Sequence, residues 1–238
     1  MDLRGLVAEI DEELRALGNP DRAVHEKAYL RSDLEHYGAS VPAIRNVAKG
    51  VRRRHPDLAH DDLLELVEAL WAAPVHERRM AAVELLAQYR DALVPADMGL
   101  LERLLRASRT WALVDGLSTS VVGTLVEREP AAAEVLDRWA ADEDFWIRRA
   151  AMLALLVPLR RGEGDFDRFS RYADSMLGDE EFFIRKAIGW ILRDTGKRRP
   201  DLVFEWLLPR ASRASSVTVR EALKPLSPEQ QEAIKAAR

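Results

Sequence analysis

Two groups of residues in this 238-residue chain combine type and spacing in a way that could do chemistry. On the run that contains Arg185–Arg199, Lys186, Trp190, Arg193 and Lys197 recur at i, i+4, i+7 and i+11, opposite an apolar stripe of Ile184, Ala187, Ile188 and Ile191. A tryptophan set among cations on a polar helix face suits a stripe that grips phosphates around an aromatic platform. The plainer reading is a surface indole covered by Lys and Arg stems. The second group is Trp111 and Asp115, four residues apart in the helix-length run Trp111–Val126, with Ser118 and Thr119 extending the same face. Asp115 is the only acid between Glu102 and Glu127. A carboxylate favoured by the dipole of a helix N-terminus is the ordinary alternative there.

Other chemistry has little to build on. The chain has no cysteine, which removes disulfides, thiolate metal sites and thiol nucleophiles. His76-Glu77 is followed by Met80 where a zinc-protease motif needs histidine, and no glycine-rich phosphate loop occurs. With five scattered histidines, neither a metal centre nor a nucleophilic triad is expected, and no cofactor is implied. The net charge of −4 hides an asymmetry: residues 1–137 carry −7 and residues 138–238 carry +3. A local basic stripe can therefore still attract a polyanion. No secretion signal or membrane-spanning run is read in the sequence, so a soluble, cytoplasmic protein is expected.

The elements that must position these residues read as helices almost throughout. Leu63, Leu64, Val67, Leu70 and Trp71 fall at helical spacing, as do Leu100, Leu101, Leu104 and Leu105. Short Gly, Pro and Asp breaks punctuate the chain, residues 160–167 read as a loop, and serines at 212–216 and 227 mark a looser end. Residues 142–156 (DEDFWIRRAAMLALL) and 179–193 (DEEFFIRKAIGWILR) repeat one another, and Trp111 and Arg78-Arg79 extend the period backward. A period of about 35–40 residues with two helices per unit predicts an all-α, right-handed solenoid of HEAT-like hairpins, whose second helices line a concave surface. No linker divides the chain, so residues 1–238 are read as one domain. In this register the positions equivalent to Asp115 are Ala150 and Ala187, so the acid is particular to its repeat. Arg149 is expected to face inward and Arg148 to contact the next repeat, although an inter-repeat ion pair would account for Arg149 equally well. Arg45, Lys49 and Arg52–Arg54 form a further basic cluster, equally well read as a solvated face.

These residues resemble the AlkD-type DNA alkylation-repair glycosylases over nearly the whole length. The likeness rests on TWALVD (110–115), FWIRRAAMLALL (145–156), EFFIRKAIGWILRDTGKRRPDLV (181–203) and, more weakly, YLRSDLEHYGASVPAIR (29–45). It implies Asp115 as the catalytic carboxylate, Trp111 and Trp190 as aromatic walls, and Arg149 and Arg193 as contacts to the DNA backbone. Lys186, Lys197 and Arg45 would add phosphate contacts, and Tyr29 an aromatic near the DNA. Ser40 and Thr110 depart from the pattern, standing where one branch has an amide side chain and a further Trp. The implied activity is hydrolysis of the N-glycosidic bond of cationic N3- or N7-alkylated purines in duplex DNA, by a monomer without metal or cofactor. Two other uses of such a fold stay open at the level of sequence: a non-catalytic binder of DNA structure, and a protein-interaction solenoid.

Overall fold

The repeat in the sequence is a repeated local device in three dimensions. The structure is a computed structural model that describes residues 2–238. The Asp142 carboxylate accepts from the Asp144 N–H at 2.9 Å, Asp144 accepts from the Trp146 N–H at 2.9 Å, and Arg148 donates to the Asp142 carbonyl at 2.8 Å. Thirty-seven residues on, Asp179 accepts from the Glu181 N–H at 2.8 Å, Glu181 from the Phe183 N–H at 3.3 Å, and Arg185 donates to the Asp179 carbonyl at 2.6 Å. Each copy satisfies N–H groups that a helix start leaves without intrahelical partners. Arg148 also pairs with Asp179 at 2.8 Å, so each device fastens to the next.

The chain forms two compact units, one up to Val121 and one of Val122–Arg238. The first contains α1 (Leu3–Ala16), α2 (Pro20–Leu30), α3 (Val41–Arg54), α4 (His60–Ala72), α5 (His76–Gln88), α6 (Met98–Ser108) and α7 (Trp111–Gly116). The second contains α8 (Gly123–Arg128), α9 (Glu134–Trp139), α10 (Phe145–Leu153), α11 (Leu156–Arg160), α12 (Phe166–Ser175), α13 (Phe182–Gly196), α14 (Pro200–Leu207), α15 (Ser216–Ala222) and α16 (Pro228–Ala236). No linker marks the division, because a π-helical segment, Leu117–Val122, runs straight through it.

The architecture is all-α and built from helical hairpins. Among the described residues the only β pairing is one isolated bridge, Glu35 with Val75. The second helices of the hairpins begin at residues 76, 111, 145, 182 and 216, which keeps the period seen in the sequence. Within the first unit α3, α5 and α7 pack successively; within the second, α10, α13 and α15 do. Leu63, Leu66, Val67 and Leu70 of α4 and Leu100, Leu101, Leu104 and Leu105 of α6 are buried, as their spacing requires. Each such side chain contributes about 1.5–3 kcal/mol of apolar burial. No helix among the described residues is long and apolar enough to cross a membrane.

Some local expectations change. The loop is shorter than residues 160–167, because α11 reaches Arg160 and α12 starts at Phe166. The C-terminal serines mark helix starts, not slack chain: Ser215 caps α15, and Ser227 caps α16 through a box with Gln230. The run Trp111–Val126 is three consecutive helical segments, with the π-helical one in the middle.

Candidate nucleic-acid interface

Three of the sequence-selected residues gather in the first unit. Tyr29, near the end of α2, is 75% exposed, and its ring meets Trp111 edge-on at 6.0 Å between centroids and 88° between planes. Trp111 opens α7 and Asp115 follows one turn later, both half-buried. Packing fixes α7 in depth: a Cβ on Gly116 would stand 3.0 Å from Val83 of α5. Ser118 does not extend this face. It is fully buried and donates to the Val114 carbonyl at 2.5 Å, where the helix widens into its π segment. Thr119 stays half-buried and donates to the Asp115 carbonyl at 2.7 Å. A cavity of about 330 Å³ is lined by Arg31, Asp33, Arg79, Arg109 and Thr110, among others. Arg31 and Arg109 end α2 and α6 in the left-handed region, at φ 49° and 48°.

Ser40 and Arg45 have structural partners. The Ser40 hydroxyl caps α3, accepting from the Ala43 N–H at 3.3 Å. Arg45 grips Glu84 with two nitrogens at 3.0–3.2 Å while its side chain stays about half exposed. Those bonds hold its guanidinium pKa above the usual value.

In the second unit the stripe on α13 exists as spaced, over a core of Ile184, Ala187, Ile188 and Ile191. Two buried carboxylates organise it. Asp194 accepts from the Trp190 indole at 3.0 Å, from Lys197 at 2.8 Å and from Arg160 at 2.7–2.9 Å, and Arg193 lies at 3.3 Å. Glu221, brought by α15, pairs with Lys186 at 3.1 Å, Lys224 at 2.9 Å and Arg193 at 2.5 Å. Burial alone would raise the Asp194 pKa, but hydrogen bonds from Lys197, Arg160 and Trp190 bring it below the usual range. Glu221 is held at about 2, chiefly by Lys224 and then, against its burial, by Lys186 and Arg193. Five cations thus share two carboxylates, and a positive excess remains around the Trp190 ring.

A family model for DNA alkylation repair enzymes matches residues 10–226. The chain belongs to the DNA alkylation repair enzyme family. Its role therefore lies in repair of alkylated DNA. No curated protein matches the chain. Among solved structures, it is similar to a predicted DNA alkylation repair enzyme from Enterococcus faecalis, with 24% identity, a TM-score of 0.80, and coverage of 89% of this chain and 97% of that one. It is also similar to AlkD2 from Streptococcus mutans, with 16% identity, a TM-score of 0.68, and coverage of 95% of this chain and all of that one. Both share the all-helical fold.

Within this DNA alkylation repair family member, Arg149 is placed otherwise than the expectation of an inward cation. It is 3% exposed, donates to the Phe183 carbonyl of the next repeat, and lies 5.9 Å from that ring's centroid. A guanidinium at this depth must satisfy its donors internally, and the next helix start supplies an acceptor. Sequence reasoning overlooked Asp194 and Glu221. Asp194 had a signal, standing four residues after Trp190 and three before Lys197. Glu221 had none, because it lies 28 residues beyond Arg193 and arrives only through the packing of α15 on α13.

Proposed function

We propose that this repair enzyme is a monofunctional DNA glycosylase. It hydrolyses the N-glycosidic bond of cationic N3- or N7-alkylated purines in duplex DNA, acting as a monomer on nucleoid DNA in the cytoplasm. The observation that carries the reading is Asp115 one helical turn from Trp111, with Tyr29 edge-on to the indole and open to solvent. Alkylation at N3 or N7 places positive charge on the base, so cleavage of its bond to the sugar expels a neutral leaving group. No general acid is then required, which suits a site without paired carboxylates or a catalytic histidine. What needs stabilising is the oxocarbenium-like sugar, as in glycoside hydrolysis. The Asp115 carboxylate stabilises that charge and orients the attacking water, whose oxygen bonds to the sugar carbon as the bond to the base breaks and whose proton passes to solvent. Trp111 and Trp190 offer ring faces to cationic groups, worth about 0.5–2 kcal/mol each. This step uses no metal and no cofactor.

DNA affinity comes from phosphate contacts that carry no sequence information. Lys186, Arg193 and Lys197 are held at set positions by Glu221 and Asp194, and Arg45 by Glu84, so little side-chain freedom is lost on binding. Arg149 acts by fixing the start of α13, which presents the others. Tyr29 and the Ser40-capped start of α3 contribute from the first unit. The test is base release from a duplex bearing one N7-methylguanine, measured beside duplex affinity. Release well above the spontaneous rate supports the glycosylase. Tight binding with release at the spontaneous rate would instead make the chain a non-catalytic binder of damaged DNA.

A further inference from the structure

The α2–α5 junction of the first unit holds a cluster that the reaction above does not use. The isolated bridge carries it: the Glu35 N–H donates to the Pro74 carbonyl at 2.8 Å, and the His76 N–H donates to the Glu35 carbonyl at 2.9 Å. That pairing sets His36 beside His76, with rings stacked 4.5 Å apart and 7° from parallel. Glu26 of α2 completes the group, and one ligand atom from each of the three lies within 4.8 Å of the others. The cluster is largely buried: His76 is 1% exposed, and the side chains of His36 and Glu26 are 1% and 15% exposed. Four of its polar atoms have no hydrogen-bond partner: Glu26 Oε2, His36 Nδ1, His36 Nε2 and His76 Nδ1. Leaving a buried polar group unsatisfied costs about 1–3 kcal/mol. With one ligand atom from each residue within 4.8 Å of the others, the three side chains could share a single partner.

We propose that Glu26, His36 and His76 form a binding site for a divalent transition-metal ion of the zinc type. Two imidazoles and a carboxylate are the donor set such ions prefer. The surroundings are already arranged for it. Arg22 holds the other Glu26 oxygen at 3.1 Å, leaving Oε2 directed at the histidines. The loop bearing His36 is pinned by buried Glu77, which accepts the N–H groups of Tyr37, Gly38 and Ala39 at 3.0, 2.6 and 3.2 Å. A tetrahedral ion with bonds of about 2.0–2.1 Å would draw the ligand atoms to about 3.3 Å from one another and turn the two rings out of their parallel stack, since each bond to the ion lies in its ring's plane. Glu26 brings the negative charge of the ligand set, and Glu77 adds a second carboxylate beside the His36 loop. Since α2 also carries Tyr29, the ion would tie that helix to α5. The role is structural and independent of the glycosylase reading.

Isothermal titration of the chelator-treated protein with ZnCl₂ tests this directly, with thermal unfolding alongside. The expected result is one tightly bound equivalent and a rise in Tm with zinc. Glu26→Gln and His36→Asn should each weaken binding about tenfold or more and remove the Tm shift. Should His36→Asn fail to fold, Glu26→Gln decides, since its side chain keeps the shape of the native one. His60→Ala, at the cluster with Asp61 and Asp97, should leave binding unchanged. Absence of a bound equivalent in the native protein, or binding unaffected by Glu26→Gln, overturns the proposal and leaves water as the shared partner.

Discussion

Glu221 shows what a single side chain does for the α13 stripe. Its pKa, held at about 2 against an ordinary 4.5, lies below its value in the unfolded chain. A depressed carboxylate contributes stability that is fully present above about pH 4.5 and is lost as pH falls toward 2. Urea unfolding of the native protein should weaken across that window, whereas Glu221→Gln should start about 1–3 kcal/mol less stable at pH 7 and lose less on acidification. Parallel pH profiles for the two would remove Glu221 from the ion-pair cluster. Arg149 offers a second residue-level test. Because it is buried and bonded to the Phe183 carbonyl, Arg149→Ala should cost stability, about 2–4 kcal/mol by urea unfolding. A variant of native stability with weakened DNA binding would return Arg149 to the role of an open phosphate contact. Residues separated by one helical turn were readable in advance, as Trp111 with Asp115 shows. Ser118 was not, because the π segment takes it out of the register that α7 begins.

At the scale of elements, the placement of the stripe depends on how closely α15 approaches α13. Gly189 permits it: an added Cβ would stand 2.9 Å from the Glu221 Cβ and 3.1 Å from the Thr218 Cα. Gly189→Ala should therefore destabilise by about 1–3 kcal/mol, although alanine is the better helix former by about 1 kcal/mol. Gly99→Ala on α6, where nothing lies within 4 Å, should be neutral or slightly stabilising in the same chemical denaturation experiment. Equal effects at the two sites would contradict the close-approach argument. The hairpin repeat was legible because its signal is local: the Asp142 and Asp179 devices are each written within seven residues. The Glu35–Val75 bridge was not legible, since it joins residues 40 apart. The same separation concealed the histidine cluster, which no short-range spacing rule detects.

For the whole molecule, the charge distribution predicts how DNA binding through the proposed phosphate contacts responds to salt. The net charge is −4, yet residues 138–238 carry +3 and include the α13 stripe. Duplex binding by a few organised cations should fall steeply with salt, by about 100-fold or more between 50 and 200 mM if about four phosphates are engaged. A salt-independent affinity, measured by fluorescence anisotropy, would point to a protein partner instead. The central claim is that Asp115 stabilises the charge developing on the sugar. It is tested most directly by single-turnover release of N7-methylguanine from duplex DNA by the native protein and by Asp115→Asn, with both saturated by DNA. Removing the carboxylate should lower the rate by about 10²–10³-fold while duplex affinity is kept or rises. Release by Asp115→Asn at the native rate would contradict it.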